Sequence, residues 1–175
     1  MAKPVQAHAH PLEPTSDLSQ IFAVCERINQ MLLAGVDEQA WRSVPPTGKG
    51  RTIAELFAHI HNVRLMWLES AAKEVPRPAK LDKLTCTREV VQAALTESAG
   101  CVRTLLDATF SKPGGQIKGF RPNPAHFVAY LITHEAHHRG QIALVARQTG
   151  FPLAKKLSFG MWEWGTLWGD CEFGT

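Results

Sequence analysis

No apolar run in this chain approaches the roughly 20 residues that a membrane helix needs, so a helical membrane span is not expected. There is no C-x-x-C pair. The four cysteines, Cys25, Cys86, Cys101 and Cys171, are widely spaced and read as reduced thiols of a cytoplasmic protein. Lys and Arg are scattered without a block, and the formal charge is only +3, so nucleic-acid binding has no positive support. No stretch alternates apolar and polar residues for long enough to suggest a strand, and no internal repeat is present. Met1 to Pro14 has three prolines, His8 and His10 but no signal-peptide core, and reads as a mobile tail over 1–14.

What is present is globular: 45% hydrophobic and 20% charged residues in 175, enough for one domain over 15–175 with a substantial core. Taken in order, the chain is helix after helix. The spacing of Leu18, Ile21, Phe22, Cys25, Ile28 and Leu32 predicts a first helix from about Ser16 to Gly35. Asp37 to Gly50, with two prolines and two glycines around Trp41, reads as a loop. Thr52-Ile53-Ala54-Glu55 is a capping box, in which hydroxyl and carboxylate each satisfy the other's free amide. It opens a second helix to about Lys73, with Ile53, Leu56, Phe57, Ile60, Val63 and Trp67 facing inward. After a polar connection over Val75 to Thr85, Thr85 or Thr87 caps a third helix. Its stripe is Val91, Ala94, Leu95, Cys101, Val102, Leu105 and Leu106, and Ser111-Lys112-Pro113-Gly114-Gly115 stops it.

A fourth helix opens at Asn123 and Pro124, a favoured N-cap followed by a residue suited to the first turn, and closes at Gly150 and Pro152. At about 100° per residue, Phe127, Leu131, Ile142 and Val145 form its apolar stripe. His134 and His138 fall inside that stripe one turn apart, so both imidazoles are expected to project into the core. Burying two imidazoles without partners is costly. Histidine at i and i+4 also presents two nitrogens to one metal ion, and this pair is the strongest chemical signal in the chain. The second helix offers two more histidines, His59 and His61, on opposite edges of its stripe, each roughly 100° from the centre. Periodicity does not choose between them. Four amphipathic helices predict an all-α four-helix bundle. Three of five tryptophans crowd into the segment Leu157 to Trp168, which is expected to pack on the bundle or at a subunit interface rather than to wall a ligand pocket.

Glu55-Leu56-Phe57-Ala58-His59-Ile60 with Trp67-Leu68, His134-Glu135-Ala136-His137-His138-Arg139-Gly140-Gln141-Ile142, and Gly150-Phe151-Pro152 with Phe159-Gly160-Met161-Trp162-Glu163-Trp164 together resemble the DinB family of the DinB/YfiT-like superfamily. The resemblance spans nearly the whole chain after the tail. It implies a commonly dimeric four-helix bundle with a divalent metal held by one histidine of the second helix and two of the fourth. Carried over, these are His59, His134 and His138, while His61 and His137 match no ligand position and are expected at a pocket rim or on the surface. It further implies transferase, isomerase or hydrolase chemistry on a small molecule, with a low-molecular-weight thiol as cosubstrate in some relatives. Zinc, nickel and iron all accept imidazole, so the donor set does not name the ion.

Two other classes compete. His134-Glu135-Ala136-His137-His138 also satisfies H-E-x-x-H, the zinc-peptidase motif in which the Glu is general base, and Glu163 could then be the third ligand. The opposing expectation for Glu135 is a solvated carboxylate on an outer helix face. A non-catalytic, metal-stabilised bundle acting in stress response or ligand binding is the third class. A ferritin-like di-iron site fits worse, because the second Glu-x-x-His and the bridging glutamates are missing.

Overall fold

The computed structural model describes residues 14–169. The expected tail with His8 and His10 lies, apart from Pro14, outside the described residues, as does Cys171. Four long helices carry the fold: α1 Pro14–Gly35, α2 Ile53–Ala71, α3 Arg88–Phe110 and α4 Ala125–Gln148. Two short ones follow, α5 Lys155–Gly160 and α6 Trp164–Gly169, and no strand occurs among the described residues. The expected all-α bundle is what forms.

The helix starts are set by the predicted chemistry. The Thr52 hydroxyl accepts the Glu55 N–H while the Glu55 carboxylate accepts the Thr52 N–H, completing the capping box of α2. Thr87, not Thr85, caps α3 by accepting the Val90 N–H. Asn123 Oδ1 accepts the Ala125 N–H at 2.9 Å, with Pro124 itself at the cap position, one residue before the expected first turn. The loop after α1 contains a 3-10 turn, Glu38–Ala40, that presses Trp41 into the core against Phe57.

In the bundle, α1 and α2 each pack against both α3 and α4. The bundle core has two large apolar clusters along its axis, beside a small third one under the C-terminal segment. One contains Leu32, Leu33, Phe57, Leu95, Ile142 and Val145, and the other Phe22, Leu65, Leu68, Leu106, Phe127 and Leu131. Each such fully buried side chain contributes roughly 1.5–3 kcal/mol. On every long helix a buried polar residue lies between the two clusters: Asn29 on α1, Arg64 on α2, Ser98 on α3 and Glu135 on α4. A polar layer therefore crosses the middle of the bundle, and the histidines sit at its height.

The C-terminal segment packs on α1, as expected for an aromatic-rich ending. Gly35 brings the end of α1 so close to α5 that a Cβ there would lie 2.3 Å from Leu157 Cδ2. Leu167 of α6 is buried against Val24 and Ile28. The large rings are not covered: Trp162 remains 78% exposed and Phe159 69%. Trp162 and Trp164 do line a separate cavity of about 410 Å³ with Ile132 and Arg139. On the helical wheel that is the face of α4 opposite His134 and His138.

Candidate metal centre

The capping box fixes the start of α2, and His59 follows after almost two turns on the side facing α4. On α4, His134 and His138 stand one turn apart. The bundle brings the three together. His59 lies with its ring centroid 4.6 Å from that of His138 and 5.3 Å from that of His134, and the two α4 rings are 4.5 Å apart. One nitrogen from each lies within 4.8 Å of the others, and among the described residues this is the group of His, Cys, Asp and Glu side chains that could hold a metal ion. His138 is buried, while His59 and His134 are half-buried, so the cluster is partly accessible to solvent.

The protonation state suits ligation. Burial, then the charge of Arg51 and the neighbouring imidazoles, holds His59 down to about 4 from its ordinary value of 6.5. Burial also lowers His134, reinforced by His138, and it lowers His138 against the opposing hydrogen bond that His138 donates to Gln141. At neutral pH all three are neutral imidazoles, the form that binds metal.

Neighbours orient the rings. His138 Nδ1 lies 2.8 Å from Gln141 Oε1, and Gln141 Nε2 lies 3.0 Å from His137 Nε2. A carboxamide oxygen only accepts, so this pairing assigns the His138 proton to Nδ1 and leaves the Nε2 lone pair pointing into the cluster. The Tyr130 ring stacks on His134 at 5.7 Å and 18°. His138 Nε2 and His134 Nε2 approach to 3.1 Å. Two nitrogens at 2.0–2.1 Å from one tetrahedral zinc would be separated by about 3.3 Å. The donor set, its neutrality and this spacing therefore fit a divalent ion.

His61 does not line the rim, contrary to the expectation for it. It is fully buried on the α3 side of α2, with Nδ1 3.1 Å from Ser98 Oγ and Nε2 3.0 Å from the Ala79 carbonyl oxygen. Both ring nitrogens are used structurally. His137 is exposed on α4, as expected.

Glu135 is likewise not a solvated carboxylate. It is 1% exposed and accepts from Arg64 Nε at 2.7 Å, Arg64 Nη2 at 2.9 Å and Asn29 Nδ2 at 2.7 Å. Arg64, itself fully buried, spends its remaining N–H groups on Glu26, the Leu95 carbonyl and Ser98. Burial pushes the Glu135 carboxyl up, but the Arg64 charge and the hydrogen bonds from Arg64 and Asn29 outweigh it and leave its pKa lowered. Its oxygens are committed to this network, so the general-base role required by the H-E-x-x-H reading is not available to it. Glu163 is exposed on the C-terminal segment and is not in the histidine group, whose third member is His59.

The network leaves a sequence signal that a stripe of apolar letters hides. Arg64 falls at the helical repeat of Phe57 and Ile60, and Glu135 at that of Leu131 and Ile142. Opposite charges at core positions of two helices are what a buried pair looks like in sequence. Val63 and Trp67, expected inside α2, are only half-buried, while Leu65 and Leu68 take the core positions.

A cleft of about 600 Å³ adjoins the centre through Gln141, between the loop before α2 and the second half of α4. No helix among the described residues is long and apolar enough to cross a membrane. Comparison with curated proteins and with solved structures gave no match. The family model of the DinB superfamily matches residues 22–142, which runs from within α1 through most of α4 and contains all three histidines. The chain is thus a member of the DinB superfamily.

Proposed function

We propose that His59, His134 and His138 hold one divalent ion, zinc, nickel or iron(II), and that the protein performs transferase or hydrolase chemistry on a small molecule there. The observation that carries this reading is the convergence of three neutral imidazoles, without a carboxylate among them, two of them half-buried. Three protein ligands on a tetrahedral ion leave a position for water or a low-molecular-weight thiol, whose proton the ion makes easier to lose.

The surrounding residues have separable tasks. Gln141 holds the His138 tautomer, Tyr130 supports the His134 ring, and the Arg64–Glu135 pair braces α4 against α2 at the height of the cluster. A homodimer belongs to the same reading, supported by the exposed Trp162 and Phe159 rings. So does a reducing, cytoplasmic setting, supported by the free thiols of Cys25, Cys86 and Cys101.

Elemental analysis of the purified protein tests the core of it. Near-stoichiometric metal in the wild type, lost in His59→Ala, is the expected result. Metal retained in full by His59→Ala would refute the three-histidine assignment.

A further inference from the structure

We infer that the substrate is a small anion, whose negative group is read by Lys49 and Arg51 while its reactive end approaches the histidine cluster. The inference rests on the metal-centre reading and adds the charge class of the ligand to it.

The cleft beside the centre is lined by Thr47, Lys49 and Arg51 from the loop before α2, and by Gln141, Val145 and Gln148 from α4. It contains two cations, two carboxamides and a hydroxyl, and no lining residue is acidic. Lys49 and Arg51 are both exposed, and neither uses its side chain in a hydrogen bond or ion pair among the described residues. Two unpaired cations in one acid-free cleft repel each other and favour an anion between them.

The cleft also borders the centre, although none of the three histidines lines it. Gln141 belongs to both, lining the cleft and holding His138 Nδ1. Leu56, about one turn before His59 on α2, lines the same cleft. A carboxylate or phosphate at Lys49 and Arg51 would therefore place the other end of a small molecule toward the three imidazoles. Arginine adds a planar fork that matches either group with two hydrogen bonds.

The test uses the full chain loaded with cobalt(II), whose spectrum reports a coordinated thiolate. Mercaptoacetate, 3-mercaptopropionate and 6-mercaptohexanoate are titrated beside their uncharged amides, so that thiol, chain length and charge are separated. At least one acid is expected to bind about 3- to 10-fold more tightly than its amide, the range for one or two partly exposed charge contacts. That preference should shrink in high salt. It should disappear in Arg51→Gln combined with Lys49→Gln, with cobalt content and amide affinity retained. Acids and amides binding alike, or neither binding with cobalt in place, would overturn the inference while leaving the metal centre intact. Failure of the wild type to retain cobalt would instead overturn the reading beneath it.

Discussion

Replacing Glu135 by glutamine separates a structural carboxylate from a catalytic one. In the wild type both Glu135 oxygens are engaged, with Arg64 on two nitrogens and with Asn29 on a third. Glutamine keeps the shape but supplies only one acceptor oxygen. Whichever way its amide turns, an NH2 group faces donors of Arg64 or Asn29. Arg64 also stays fully buried as a cation with Glu26 as its remaining counter-charge. Removing one partner of a buried pair costs about 3–5 kcal/mol, and the surviving Glu26 contact places Glu135→Gln near the lower end, about 3 kcal/mol. Against a total stability of about 5–15 kcal/mol, that is a large fraction. At about 2–4 °C per kcal/mol for a chain of this size, the melting temperature should fall by roughly 6–12 °C. Thermal unfolding followed by circular dichroism at pH 7 measures this, with metal content checked in the same samples. A melting temperature within about 2 °C of the wild type would refute the claim that this pair braces the bundle. Arg64→Met combined with Glu135→Leu should cost less than the sum of the single changes, because Glu26, with 12% of its side chain exposed, can turn to water once the cation is gone.

Other consequences are independent of that pair's magnitude. His61→Ala should retain metal yet lose about 2–4 kcal/mol in denaturant unfolding, since it removes a fully buried ring and two hydrogen bonds; loss of metal with unchanged stability would contradict the placement of His61. Gln141→Ala should weaken metal binding by about 10-fold, read by chelator competition, because the His138 ring loses its orienting acceptor. The lowered pKa of Glu135 stabilises the fold above the ordinary value of 4.5, and that contribution is lost as pH falls through the folded pKa. The stability gap between wild type and Glu135→Gln should accordingly narrow in acid and stay constant above about pH 6. Iodoacetamide at pH 8, mapped by mass spectrometry, should leave Cys25 unlabelled in the native protein, because the thiol is fully buried and burial pushes its pKa up to about 11.

By itself the sequence determined the helices and much of their inward faces. Phe127, Leu131, Ile142 and Val145 are buried at the spacing they announce, and Thr52 and Glu55 cap α2 as their identities require. These properties are local: a 3.6-residue repeat and a hydroxyl three residues before an amide depend on nothing outside their own helix. The pairing of His134 with His138 was legible for the same reason. Which second-helix histidine joins them periodicity left open and only the family resemblance named, because His59 and His61 stand at similar angles from their stripe and the position of α4 on one side and α3 on the other is what distinguishes them. The tertiary structure sends His59 to the cluster and His61 to Ser98 and Ala79. It likewise turns Glu135 from an apparent surface carboxylate into the partner of Arg64, since a charge at a core position is tolerable only when a distant element supplies its opposite. Lys49 and Arg51 carry no signal in one dimension at all. Their charges share a cleft with Gln141 only because the loop before α2 folds beside the second half of α4.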